Sequence, residues 1–202
     1  MHYPFDQLSG TERYHLITQT VIPRPIAWIM TKNEDSSFNL APFSYFTSLS
    51  SDPALLVVSI GNKNPETLKD TKRNLLREKE CVLHIPSGEL VNQVNDSAAN
   101  LSYGESEVSK TGLELIEFTP TLPRIKAAKV AFHCRLFDVH RLAGSNFEAV
   151  YLEILNLYVE DEVIQQKGDR TYVNSQSLNP LTRLGGNDYA LLGETMTIKR
   201  PD

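Results

Sequence analysis

Ala-Lys-Val-Ala-Phe-His-Cys-Arg-Leu-Phe-Asp-Val-His at positions 128–140 is followed by Ala-Val-Tyr-Leu-Glu-Ile-Leu-Asn-Leu-Tyr-Val-Glu-Asp-Glu-Val at 149–163. Both runs are rich in β-branched and aromatic residues, and Leu142–Asn146 between them is a turn. That pattern predicts a long β-hairpin with a loop of about five residues. Working back toward the N-terminus, further strand patterns occur at Ile26–Thr31, Phe38–Leu49, Leu55–Ile60 and Cys81–Ile85. In the first of these, Ile26, Trp28 and Met30 share one face and Ala27, Ile29 and Thr31 the other. Pro42 marks a bulge or an edge in the second. Val21–Pro25 is extended, because each proline pushes its predecessor out of the helical region.

Helices enter singly. Ser9-Gly10-Thr11-Glu12 reads as a capped helix start ahead of Tyr14, Leu16 and Ile17. Asn64-Pro65-Glu66 reads as a second start, with Asn as cap and Pro at the first helical position. Leu68, Leu75 and Leu76 would supply the apolar face of that helix, with Lys69, Lys72, Arg73 and Arg77 on its other sides. Leu90–Ala99 reads as helical, 100–112 as a polar loop with helical turns, and the last forty residues as mostly irregular around the Gly185-Gly186 turn. Strands dominate without regular alternation with helices. This disfavours a doubly wound sheet and favours a mainly β, closed or nearly closed barrel with helical insertions.

The chain has 202 residues, with no repeat or linker to divide it, and is expected to form one domain over 1–202. Lys and Arg number 20 against 25 Asp and Glu, a net charge of −5 with a pI near 5.6. That balance argues against nucleic acid held through phosphates and against a polybasic membrane surface. Cys81 and Cys134 are too few for a disulfide framework and are expected to be small buried thiols. The N-terminus lacks a basic, then apolar, leader, and the apolar runs are too short to span a bilayer. The expectation is a soluble cytoplasmic protein. No metal site is expected, since His2, His15, His84, His133 and His140 form no ligand pair. His84 and His133, inside strand patterns, read as hydrogen-bonded core or surface histidines. None of the ten glycines builds a G-x-G-x-x-G or a P-loop, and no G-x-S-x-G elbow is present.

Two segments suggest a ligand. Asn39-Leu40-Ala41-Pro42-Phe43-Ser44-Tyr45-Phe46 places a proline among small and hydroxylated residues, where it would break a ladder and free backbone groups for a polar, planar molecule. An edge-strand bulge would explain the same residues. Ser59-Ile60-Gly61 precedes a helix bearing Lys69-Asp70-Thr71, and a helix start suits an anion. A surface helix with ordinary charges is the other reading of that segment.

Pro23-Arg24-Pro25-Ile26-Ala27-Trp28-Ile29, then 39–46, Ser51-Asp52-Pro53, Ser59-Ile60-Gly61 and Lys69-Asp70-Thr71 with Asn74, follow one another in order. The series continues to Arg183-Leu184-Gly185-Gly186 and Tyr189-Ala190 and so spans most of the chain. It resembles the flavin reductase-like family of FMN-binding split-barrel, flavoredoxin-like proteins. The resemblance implies a six-stranded Greek-key barrel, a homodimer, and FMN in a cleft near the dimer interface. It implies that Asn39, Ala41, Pro42, Phe43 and Ser44 line the isoalloxazine and ribityl part. Ser59, Ile60 and Gly61 would run along the ribityl-phosphate, and Lys69, Asp70 and Thr71 would hold the phosphate. Arg24 and Trp28 come from the motif at the first barrel strand, and Arg183 and Tyr189 would close the site. No catalytic side chain is assigned, which suits chemistry carried by a flavin. The implied function is an oxidoreductase moving electrons from NADH or NADPH to FMN, or from bound FMN to a downstream acceptor. An electron-transfer or flavin-carrier protein without a nicotinamide site, and an acidic β-barrel interaction module without a cofactor, are the alternatives.

Overall fold

The computed structural model of the chain describes residues 1–64 and 66–201. Seven strands form one antiparallel sheet: β1 (Ala27–Lys32), β2 (Phe38–Phe43), β3 (Phe46–Ser51), β4 (Ala54–Gly61), β5 (Glu80–Ile85), β6 (Val130–Arg141) and β7 (Phe147–Val159). Their order across the sheet is β2-β1-β5-β6-β7-β4-β3. The hairpin read from the sequence is β6–β7, paired from Val130↔Val159 to Arg141↔Glu148. Register shifts at Tyr151/Leu152 and Ile154/Asn156 add the twist that helps the sheet curl.

The two outermost strands, β2 and β3, are consecutive in the chain and separated only by Ser44 and Tyr45. The sheet therefore curls until its edges meet at this link, where the Ser59 amide donates to the Tyr45 carbonyl at 2.8 Å. This is the mainly β, split-barrel arrangement with helical insertions that the sequence implies. The strand expected over Phe38–Leu49 is broken at Ser44-Tyr45, so the sheet has seven strands rather than six. Pro42 sits on the edge strand β2, where a missing amide costs least.

The alternation in β1 holds. Ala27, Ile29, Leu56, Val58, Ile60, Leu83 and Leu152 fill the barrel interior. Ile26, Trp28 and Met30 pack outward under Leu90, Val94, Val108 and Ile125. Covered on both faces, Ala27 to Met30 are each 0% exposed. Cys81 and Cys134 face each other across β5 and β6 as buried free thiols, and the hydrogen bond between them, together with burial, pushes the pKa of the Cys81 thiol well up. His84 is a core residue. Its Nδ1 lies 3.1 Å from the Trp28 carbonyl, its Nε2 accepts from the Ile125 amide, and burial lowers its pKa to about 4.

Helix α1 (Gly10–Thr20) starts with a complete capping box between Ser9 and Glu12. Helix α2 (Asp70–Glu78) starts later than the sequence suggests, with Lys69 as its N-cap. Asn64 instead uses its side chain to accept from the Glu66 amide, and the Lys63 N–H donates to the Thr67 carbonyl at 2.8 Å. Pro65, expected as the first helical residue, lies outside the described residues. Leu75 is buried, Leu76 is exposed, and Lys72, expected on an outer side, is buried. Two short helices follow, α3 (Val91–Asp96) and α4 (Glu107–Thr111). The tail is more ordered than expected. Ile164–Lys167 pairs with Arg170–Val173, and Thr182–Arg183 pairs with both Arg24–Pro25 and Tyr189–Ala190.

Candidate functional site

Three clefts share Pro42 and Phe43 at the end of β2. The largest of the three, about 300 Å³, adds Asn39, Ala41, Lys63, Lys69–Thr71, Ser97–Leu101 and Glu107. A second, about 190 Å³, adds Ser44, Ser59, Gly61, Lys69 and Phe147. A third, about 180 Å³, adds Ser44, Asn95, Arg183 and Tyr189. Segments distant in sequence thus meet around one strand end. An apolar cavity of about 450 Å³ lies beyond Ser44 and Ser59, lined also by Arg24, Tyr45 and Val57.

The α2 side of this region is built on a buried hydrogen-bond network. Asn39 donates to Thr71 Oγ1 at 2.9 Å and to Thr31 Oγ1 at 3.3 Å. Asn74 donates to Thr31 Oγ1 and to Asn33 Oδ1 at 2.8 Å. Amides and hydroxyls of this kind stay buried only when paired, so β1, β2 and α2 are fixed against one another. Lys63 reaches across the cleft to Asp70 at 3.0 Å and to the Leu101 carbonyl at 3.0 Å. Lys72 is paired with Glu148 at 2.7 Å and with Asn62 Oδ1 at 3.1 Å.

Lys69 differs. Among the described residues no carboxylate lies within ion-pairing distance of it, and its Nζ stands 5.4 Å from the centre of the Phe43 ring. The side chain reaches solvent, yet the surrounding walls desolvate the ammonium and Lys63 repels it, and both hold its pKa below the usual lysine value. An anion placed here would relieve both effects.

On the far side of Phe43, Gly61 lies against Phe147. A Cβ on Gly61 would stand 3.0 Å from that ring, and Phe147 in turn stacks on Tyr45 at 6.2 Å. Arg183 lies over the Tyr189 ring at 4.5 Å, and Tyr189 reaches Asn95.

Three residues named from the sequence do not face these clefts. Trp28 is fully buried, and its indole donates to Ser97 Oγ at 2.8 Å, so it supports the cleft wall from behind. Ile60 points into the barrel interior. Arg24 is buried and donates to the carbonyls of Thr18, Val21 and Leu184 and to Ser44 Oγ, which ties α1 and the tail to the link between β2 and β3. Conversely, Lys63, Phe147, the Ser97–Leu101 wall and Glu107 are cleft residues that sequence reading missed. Glu107 lies in the stretch 100–112 that reads only as a polar loop with helical turns; Ser106 caps α4 there, and spacing alone does not bring α4 to β2.

A model of the flavin reductase like domain matches residues 19–179. The protein YwrF of Bacillus subtilis is 36% identical over 202 residues, covering 97% of each chain. The structure of nitrilotriacetate monooxygenase component B from Bacillus cereus superposes with a TM-score of 0.91 at 30% identity, covering 98% of each chain. That of the 2-nitrobenzoate 2-nitroreductase NbaA of Pseudomonas fluorescens gives 0.88 at 27% identity, over 100% of this chain and 96% of the other.

Proposed function

The chain belongs to the flavin reductase like family, and from that premise we propose that it binds FMN and works as an NAD(P)H-dependent flavin oxidoreductase. In this reading it moves electrons from a reduced nicotinamide to FMN, or from bound FMN to a downstream acceptor. The observation that carries the FMN assignment is Lys69. A partly desolvated cation without a carboxylate partner, next to the first turn of α2, is a setting that favours a phosphate. Asp70 in the same turn is compatible with this, because Lys63 already compensates its charge. Thr71 and Asn39 present a fixed polar wall beside it.

The flavin supplies the redox chemistry, and the protein supplies binding, orientation and exclusion of water. Pro42 and Phe43 form the floor common to the three clefts, Ser44 continues it in two of them, and together they suit the planar ring. Ser59 and Gly61 extend that floor, and Tyr45 and Phe147 cover it with apolar surface. Arg183 and Tyr189 stand at the opposite rim. Trp28, Ile60 and Arg24 act from behind, by holding these elements in place.

The remaining expectations belong to the same proposal. The 202 residues act as one domain, and two copies associate, with the exposed Val21, Ile22 and Leu49 near the apolar cavity as candidate contacts. Among the described residues no helix is long and apolar enough to cross a membrane, and the protein is proposed to act in the cytoplasm.

The test is spectroscopic. Protein mixed with FMN and passed through gel filtration should elute yellow, at the size of a dimer. Anaerobic addition of NADH or NADPH should then bleach the flavin band at catalytic rates. A colourless protein with no FMN-dependent rise in Tm would overturn the FMN reading. Bound FMN that neither coenzyme bleaches would favour the carrier alternative.

A further inference from the structure

One buried carboxylate in the cleft has no part in holding an anion. Glu107, the first residue of α4, is 5% exposed and lines the same cleft as Lys69 and Thr71. Its Oε2 accepts from the backbone amide of Leu40 on the outer edge of β2 at 2.9 Å. Ser106 Oγ donates to the Phe38 carbonyl at 2.6 Å and so fixes α4 beside that strand. No other residue among those described donates to Oε1. Nor is this oxygen among the sealed, unpartnered polar atoms, which are Asn74 Oδ1 and Gln93 Oε1. Glu107 lines the cleft and only its Oε2 is taken up by Leu40, so Oε1 is the carboxylate oxygen left to accept from a molecule in the cleft.

A carboxylate oxygen repels phosphate and carbonyl oxygens and attracts a hydroxyl. Lys69 and Glu107 together then describe a ligand with an anion at one end and a hydroxyl further along. Building on the FMN reading, we propose that Glu107 is a specificity-determining residue that accepts a hydrogen bond from a hydroxyl of the ribityl chain. It selects a polyol phosphate over a flavin of the same ring and charge that lacks the hydroxyls.

The test titrates wild type and Glu107→Gln, followed by flavin fluorescence, with three probes. These are FMN, lumiflavin (the ring without its chain), and a phosphoalkyl flavin whose chain carries no hydroxyls. Gln keeps an oxygen for the Leu40 amide while removing the charge. Glu107→Gln should weaken FMN about tenfold, the loss of one charge-assisted hydrogen bond, and lumiflavin less than twofold. Wild type should prefer FMN to the phosphoalkyl flavin about tenfold, and the variant should lose most of that preference. Equal losses for FMN and lumiflavin would mean that Glu107 only holds α4 against β2, and would overturn the proposal. So would unchanged FMN affinity in the variant. If the variant fails to fold, an absent wild-type preference between FMN and the phosphoalkyl flavin overturns it instead. Wild type that binds none of the probes would overturn the FMN reading itself, and this proposal with it.

Discussion

Lys69 and Lys72 stand one turn apart at the start of the same helix, yet their surroundings are opposite. Lys72 is buried, with its ammonium on Glu148 and Asn62. Lys69 is exposed to the cleft, meets no carboxylate within ion-pairing distance among the described residues, and is repelled by Lys63. One charge is satisfied by the fold and the other is left for something that binds. The same division separates the Asn39 amide nitrogen, the Thr71 hydroxyl and both His84 ring nitrogens, which are paired inside the chain, from Glu107 Oε1, to which no other described residue donates.

The largest expected effect breaks the satisfied side. Lys72→Ala leaves Glu148 facing an emptied pocket and should cost about 3 kcal/mol, as when one partner of a buried pair is removed. Urea unfolding without flavin measures it, and a loss below about 1 kcal/mol would place Lys72 with the surface charges. His84 gives the next effect. Its folded pKa of about 4 lies below the usual histidine value of 6.5, so between these values the unfolded chain binds a proton that the folded chain does not. Its contribution is complete above pH 6.5 and is lost as pH falls toward 4. Stability should drop by about 2 kcal/mol from pH 6.5 to pH 5, and His84→Asn should flatten that part of the profile.

On the unsatisfied side, Lys69→Ala should weaken FMN at least tenfold, about 1.4 kcal/mol, while leaving stability unchanged or slightly raised. Because Lys72 supports the fold, the fitting control is the exposed Lys126, whose substitution by Ala should leave FMN affinity alone. Equal FMN losses at 69 and 126 would displace the phosphate from α2. Thr71→Val removes the nearer of two acceptors of the buried Asn39 amide and should lower stability by about 1 kcal/mol, visible as a lower Tm in the flavin-free protein. The smallest effect is expected from Tyr189→Phe. It loses only a 3.4 Å contact to Asn95 at the rim, and its stability should change by less than about 0.5 kcal/mol.

The same two lysines show why part of the site was legible and part was not. Lys69, Asp70 and Thr71 could be named because they stand in the ordered series of motifs that resembles the family, while the segment alone also read as a surface helix with ordinary charges. Which lysine faces the cleft depends on where α2 begins, and Asn64 was a plausible cap. The helix begins instead at Asp70, because the Asn64 side chain is used to accept from the Glu66 amide. Local chemistry pointed to Asn64, and the start at Asp70 goes with the packing of Leu75 and the hydrogen bonds of Asn74, which local pattern does not contain. Glu107 was hidden for a different reason. It lies in a polar stretch with weak periodicity, and its Leu40 partner is 67 residues away.

By itself the sequence determined the strands, since β-branched alternation and turn residues act over a few neighbouring positions. It also determined the long hairpin, the Ser9 cap and the two faces of β1. Only the tertiary structure decided that β2 and β3 are the two edges of one curled sheet joined at Ser44-Tyr45. Only there do β2, the start of α2, α4 and the Arg183–Tyr189 tail meet. Local pattern sets which way a side chain points within its own strand or helix. Which charged groups face a cleft without a partner depends on every element packed around them, and those groups mark the candidate site.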